Sequence, residues 1–265
     1  MIIRTRRLTA ALRALPMAAV LAALPAAPAG MPAATMAAGA AGSTPPGTVQ
    51  PAFMHVAPGS ATTNTHWSGY DATTGDYTSV TASWTQPTVS CSEGGDVVFW
   101  VGLGGGTASS DSLQQNGTFV QCEGSTPVYS AWWETWPCNA ITQYGGTVKP
   151  GDKITASAVN LGSNKYQLSV SDTTEGWSVD PTKTGCNGGS TATAEVITET
   201  PEIGSGLASL PDFGKATYTG ATINSNPLAN ADPAKINMAR SGVTMDTTSK
   251  ISGGNSFSNK WKASS

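Results

Sequence analysis

The chain has 265 residues, 39% hydrophobic and 12% charged, with 30 glycines and 17 prolines. Ser, Thr, Gly and Asn dominate its polar positions, a mix that favours strands joined by tight turns over long helices and so an all-β fold. All 17 acidic residues lie from Asp71 onward and four of the 14 basic ones lie before residue 14, leaving 17 acidic against 10 basic, net −7, once the first 42 residues are set aside; with Arg240 the one arginine left, no nucleic-acid partner is expected, since phosphate backbones are bound by clustered Lys or Arg.

Arg4, Arg6, Arg7 and Arg13 precede an apolar run, Met17 to Leu24, that passes into small residues and prolines through Gly42. This is the pattern of a secretory signal peptide, and the Arg6-Arg7 pair is also compatible with twin-arginine export. The run is too short, and too broken by Pro25 and Pro28, to span a bilayer as a helix. Residues 43–64, rich in Pro, Thr and Gly without periodicity, read as a linker or pro-segment. Residues 65–265 are then expected to form one domain: secreted, extracellular, free of membrane after signal removal, and monomeric. Its scarcity of basic groups suits an acidic medium, where few positive charges remain to repel one another.

From His66 onward short strands recur between turn signals. Tyr77 to Trp84 alternates apolar and small polar residues and is ended by Pro87, which cannot donate to a ladder. Asp96 to Gly102 is a continuous apolar run of the kind expected in a central strand, stopped by Gly104-Gly105-Gly106. Val128 to Trp136 is closed by Pro137. Lys153 to Val159 and Tyr166 to Val170 flank Gly162-Ser163-Asn164, a hairpin loop. Gly214 to Tyr218 and Ser256 to Lys262 follow the central stretch Thr191 to Thr200. No fixed period repeats, so a single sandwich or barrel is expected. Cys91, Cys122, Cys138 and Cys186 read as two disulfides of open pairing in an exported chain. Zinc is the rival reading, but the CxxC spacing is lacking and histidine is scarce.

Two stretches carry carboxylates where a strand should be buried. In TATAEVITET, period-two alternation sets Ala192, Ala194 and Val196 on a core face and Thr193, Glu195, Ile197 and Glu199 on the other. A solvated face would explain the glutamates; a buried one would need them neutralised or used. In AWWETWP, Trp132, Glu134 and Trp136 share a face, as in a groove that receives an extended ligand, unless the tryptophans are core and Glu134 pairs with a lysine. The domain has one histidine, His66, so Ser/His/Asp or Cys/His catalysis would have to recruit it. No Asp-Thr-Gly or Asp-Ser-Gly triplet occurs, which leaves carboxylates of other kinds for hydrolysis. Asn116-Gly117-Thr118 fits a glycosylation acceptor, but a plain turn is the simpler reading.

FWVGLGG (Phe99 to Gly105), LQQNGT (Leu113 to Thr118), YSAWWETWP (Tyr129 to Pro137), AEVITE (Ala194 to Glu199) and LPDFGKATYTGA (Leu210 to Ala221), in this order after an opening HWSGY, resemble the glutamic peptidases, or eqolisins. The likeness runs from about Trp67 to Trp261. It implies a secreted, acid-acting endopeptidase on a concanavalin A-like sandwich of two antiparallel sheets, with polypeptide substrates and no cofactor or metal. It further implies catalysis by Gln115, which the spacing of a Gln-x-Gly triplet favours over the neighbouring Gln114, and by Glu199. Trp100, Trp132 and Glu134 match the substrate cleft. A carboxylate base is expected to stay ionised in acid, so Glu199 should not be strongly desolvated. Gly104 and Ser130 depart from fungal members, which tend to carry Asp at both, and this leaves the pH optimum open. The rival readings are a glycosidase using Glu134 with Glu199 or Glu195, and a non-catalytic sugar-binding sandwich with tryptophan platforms.

Overall fold

A computed structural model of the chain describes residues 61–107, 110–203 and 206–265. The expected signal, and the expected linker as far as residue 60, lie outside these residues. Strands make up most of what is described: β1 (Ala61–Asn64), β2 (Trp67–Ala72), β3 (Ser79–Thr85), β4 (Asp96–Gly104), β5 (Leu113–Glu123), β6 (Thr126–Trp136) and β7 (Asn139–Gln143). Next come β8 (Lys153–Gly162), β9 (Lys165–Asp172), β10 (Trp177–Val179), β11 (Thr182–Thr184), β12 (Ala194–Glu199), β13 (Glu202–Ile203) and β14 (Gly206–Leu207). β15 (Lys215–Ile223), β16 (Asn226–Pro227), a 3-10 turn at Leu228–Ala231, β17 (Ala234–Arg240), β18 (Val243–Thr248) and β19 (Phe257–Trp261) complete the chain.

Apart from the β13–β14 pair, the strands form one hydrogen-bonded network folded into two layers. The first runs β1-β17-β2-β12-β4-β5-β6-β7, antiparallel except where β1 lies parallel to β17. The second runs β18-β19-β15-β3-β8-β9, with β10 and β11 both on the far side of β9. β18 also pairs with β17, joining the layers at one end. Between them lies the main core: Phe99, Val101, Val120, Ala194 and Val196 from the first layer meet Val80, Trp84, Ile154, Leu168 and Tyr218 from the second. The inward side of AEVITE is therefore the one that alternation assigns to the core.

Ala61–Asn64, the last residues of the stretch read as linker or pro-segment, form a strand beside β17, a partner far along the chain that composition does not show. One expectation is corrected. Asn116-Gly117-Thr118 is not a turn: it lies in the middle of β5, with Asn116 buried and its Nδ2 donating to Ser169 O at 2.7 Å. An asparagine so enclosed offers no glycan attachment in the folded chain. The cysteines pair as Cys91–Cys122 and Cys138–Cys186. The first bond ties the loop before β4 to the end of β5, and the second ties the β6–β7 turn to the loop before β12. No helix of the described residues is long and apolar enough to cross a membrane.

Candidate active site

Residues directly opposed on antiparallel strands share a face, so the outward face of the first layer can be traced strand by strand. One row crosses Asp71, Glu195, Gly102, Gln115 and Glu134 on β2, β12, β4, β5 and β6. The next crosses Gly69, Ile197, Trp100, Gly117 and Trp132, and a third crosses Trp67, Glu199, Val98, Phe119 and Ser130. All five residues singled out from the sequence, Gln115, Glu199, Trp100, Trp132 and Glu134, thus rise from one face. Gln114 points the other way, being opposed to Leu103 of the inner core.

A second apolar cluster underlies these groups: Trp67, Val98, Trp100, Leu113, Phe119, Trp132, Ile197 and Ile236. Gly102 keeps the centre open, because a Cβ there would lie 2.9 Å from the Trp100 ring and from Leu113 Cδ1, and 3.2 Å from Gln115 Cβ. Trp67 meets Trp100 edge-on with ring centroids 5.1 Å apart. Trp100 Nε1 donates to Glu199 Oε2 at 2.7 Å, and Gln115 Nε2 donates to Glu134 Oε2 at 2.6 Å. Glu134 therefore has an amide, not a lysine, as its partner; Lys149–Glu175 is the one ion pair among the described residues. Glu199 Oε1, Glu134 Oε1 and Gln115 Oε1 are buried without a hydrogen-bond partner.

The electrostatics differ from the sequence expectation. Glu199 is 2% exposed, and burial drives its pKa to about 8 against the Trp100 hydrogen bond and the nearby Trp67 indole, which both favour the ionised form. The Trp67 N–H itself falls outside hydrogen-bond geometry. Glu134 is likewise pushed to about 8 by burial, opposed by the Gln115 amide and reinforced by the charge of Glu199. The two hydrogen-bonded pairs, Trp100 with Glu199 and Gln115 with Glu134, lie on the same face of the first layer. Both carboxyls are neutral in acid while the face is buried, so the expected ionised base is not present in this conformation. Glu195 shares the face but engages Asp71 in a separate, fully buried pair.

Residues 65–261 match the Peptidase A4 family. The chain belongs to that family. Aspergillopepsin-2 of Aspergillus niger is 28% identical to it over 210 residues, 70% of this chain and 74% of that protein. Scytalido-glutamic peptidase, solved with a transition state analog inhibitor, shares the fold with a TM-score of 0.65 at 20% identity, over 75% of this chain and 99% of that one. The aspergilloglutamic peptidase from Aspergillus niger gives a TM-score of 0.57 at 26% identity, over 63% of this chain and 99% of that one. This A4 chain is accordingly a peptidase on an eqolisin β-sandwich, as its motifs implied.

Two residues of the same face in this A4 peptidase were not among the five singled out from the sequence. Trp67 stands opposite Glu199, and Asp71 opposite Glu195. The available signal was the period-two spacing of Trp67, Gly69 and Asp71, which repeats the Glu199, Ile197, Glu195 spacing in reverse. The Gly104 departure also has a structural counterpart: its φ is +89°, and a Cβ would lie 2.5 Å from Ser112 O, so an aspartate does not fit this backbone.

Proposed function

We propose that this A4 peptidase is an exported acid endopeptidase in which Glu199 activates water and the Gln115 amide stabilises the oxyanion. Water attacks the scissile carbonyl carbon and gives its proton to the Glu199 carboxylate. Glu199 then returns that proton to the departing nitrogen as the C–N bond breaks. The carbonyl oxygen becomes negative in between and requires a donor. An amide suits this role because it donates at any pH; Glu134 takes one hydrogen of Gln115 Nε2 and leaves the other for substrate. Trp132 and Trp100 supply apolar walls.

Glu199 has to be ionised to act, although burial holds it neutral. Water entering the cleft removes the largest cause of its raised pKa and leaves two indoles that favour the carboxylate. Hydration of the cleft therefore creates the base. Export is supported by the arginine-led, apolar start of the chain and by two disulfides, which persist in oxidising compartments.

The observation that carries this reading is that an indole-held carboxyl and a carboxyl-held amide share one sheet face. Its test is cleavage of denatured casein and release of sugar from polysaccharides at acidic pH by the processed protein. Casein cleavage should be lost in both Gln115→Ala and Glu199→Gln. Sugar release surviving Gln115→Ala would sink the proposal.

A further inference from the structure

Asp71 and Glu195 are buried ionisable groups for which the proposed mechanism has no use. They are opposed residues of β2 and β12 and are both 0% exposed. None of their four carboxyl oxygens meets a donor in good hydrogen-bond geometry. The Thr193 hydroxyl and the Gly106 N–H favour the charged form of Glu195, but that N–H is already given to Thr193 Oγ1 at 3.0 Å. Gly106 closes over the pair, since a Cβ there would lie 2.5 Å from each Asp71 oxygen. The other flanking positions are Ala234 on β17 and Gly102 on β4, neither ionisable. The next ionisable side chain in the row is Glu134, two strands beyond Gly102. Two like charges enclosed together, with no cation beside them, cannot both persist; a proton held between them removes one charge and supplies the missing donor.

We propose that Asp71 and Glu195 share a proton and act as a positioning pair, fastening β2 to β12 so that Trp67 and Glu199, four residues further along the same strands, stay opposed. Burial raises both groups well above the ordinary carboxylate range, which is the direction such a pair requires. Loss of the proton sets two carboxylates against each other between the strands and releases the hold. The link to catalysis rests on Glu199 acting as proposed above; the hold on the strands does not.

The test compares thermal unfolding of the processed protein with that of Asp71→Asn and Glu195→Gln from acidic to mildly alkaline pH. An amide donates to the remaining carboxylate without needing the proton. Both variants should match the wild type in acid and carry their alkaline unfolding midpoint about 1 pH unit higher. Asp71→Ala, which leaves Glu195 alone, should be less stable in acid as well. On a peptide substrate, the alkaline limb of kcat should move with the unfolding midpoint in the amide variants while KM stays constant. Amide variants whose unfolding curves parallel the wild type at every pH would overturn the proposal, as would failure of both to fold in acid. A wild-type protein that cleaves no peptide but shows the displaced midpoints would remove the catalytic reading and leave the pair standing.

Discussion

Gln115 Nε2 donates to Glu134 Oε2 at 2.6 Å from directly opposed positions on adjacent strands. The backbone ladder fixes both ends of this bond, so Glu134 holds the amide in one orientation. Glu134→Ala should lower kcat by about 100-fold, the scale on which an oxyanion donor matters, with a smaller change in KM. Glu134→Gln keeps an acceptor and should retain most of the activity. Initial rates at acidic pH separate the two, and equal losses would give the carboxyl a role of its own.

Trp100→Phe removes the indole that holds Glu199. Without that donor the ionised form is less favoured, so the Glu199 pKa rises. The acid limb of kcat/KM should move to higher pH, and the rate measured well below that limb should fall about 10-fold if the limb moves by about 1 in pH. A pH profile with an unmoved acid limb would show that the indole has no part in setting the base.

Seven buried carboxyls, Asp71, Asp96, Glu134, Asp152, Glu195, Glu199 and Asp246, are raised above their ordinary values, in each case chiefly by burial. A group raised on folding binds its proton more tightly in the folded state, so its stabilisation is full below the unfolded pKa and is lost as pH rises through the folded one. That loss passes through about 6 for Asp96 and Asp246 and about 8 for Glu134 and Glu199. Urea midpoints should therefore fall steadily from acid to neutral pH. Asp246, buried against the Ser68 hydroxyl, contributes roughly 3 kcal/mol to that fall. Asp246→Asn should recover much of it at neutral pH, and a midpoint flat across the range would contradict the whole set.

Gly102→Ala places a methyl group 2.9 Å from the Trp100 ring and 3.2 Å from Gln115 Cβ. Overpacking of this kind costs about 1–3 kcal/mol, and here it displaces both halves of the site. The variant should fold with a lowered melting temperature and lose more activity than stability. Full activity would mean that the tryptophan and the amide move apart without consequence.

Much of the site was legible because strands have a strict period of two. AEVITE and AWWETWP each displayed one apolar face and one face bearing a carboxyl, and the structure gathers those outward faces on one sheet. What alternation leaves open is the neighbour. Asp71 acquires its meaning only from Glu195, and Glu134 only from Gln115, through registers that no local pattern specifies. β5 escaped a strand reading because Gln, Asn, Gly and Thr fill its first half and mimic a turn; its burial between β4 and β6 overrides that composition. The charge state of Glu199 was misjudged for a related reason, since the depth at which a strand lies is set by the elements around it.

β1 shields one side of β17 along the register Ala61 to Lys235 through Asn64 to Met238. Proteolytic trimming past Asn64 would strip that cover and leave a bare ladder of N–H and C=O groups at the rim of the sandwich. Such a rim recruits the same rim of a second molecule and seeds edge-to-edge aggregation. A chain beginning after Asn64 is therefore expected to self-associate along this rim, whereas one that keeps Ala61–Asn64 stays covered there.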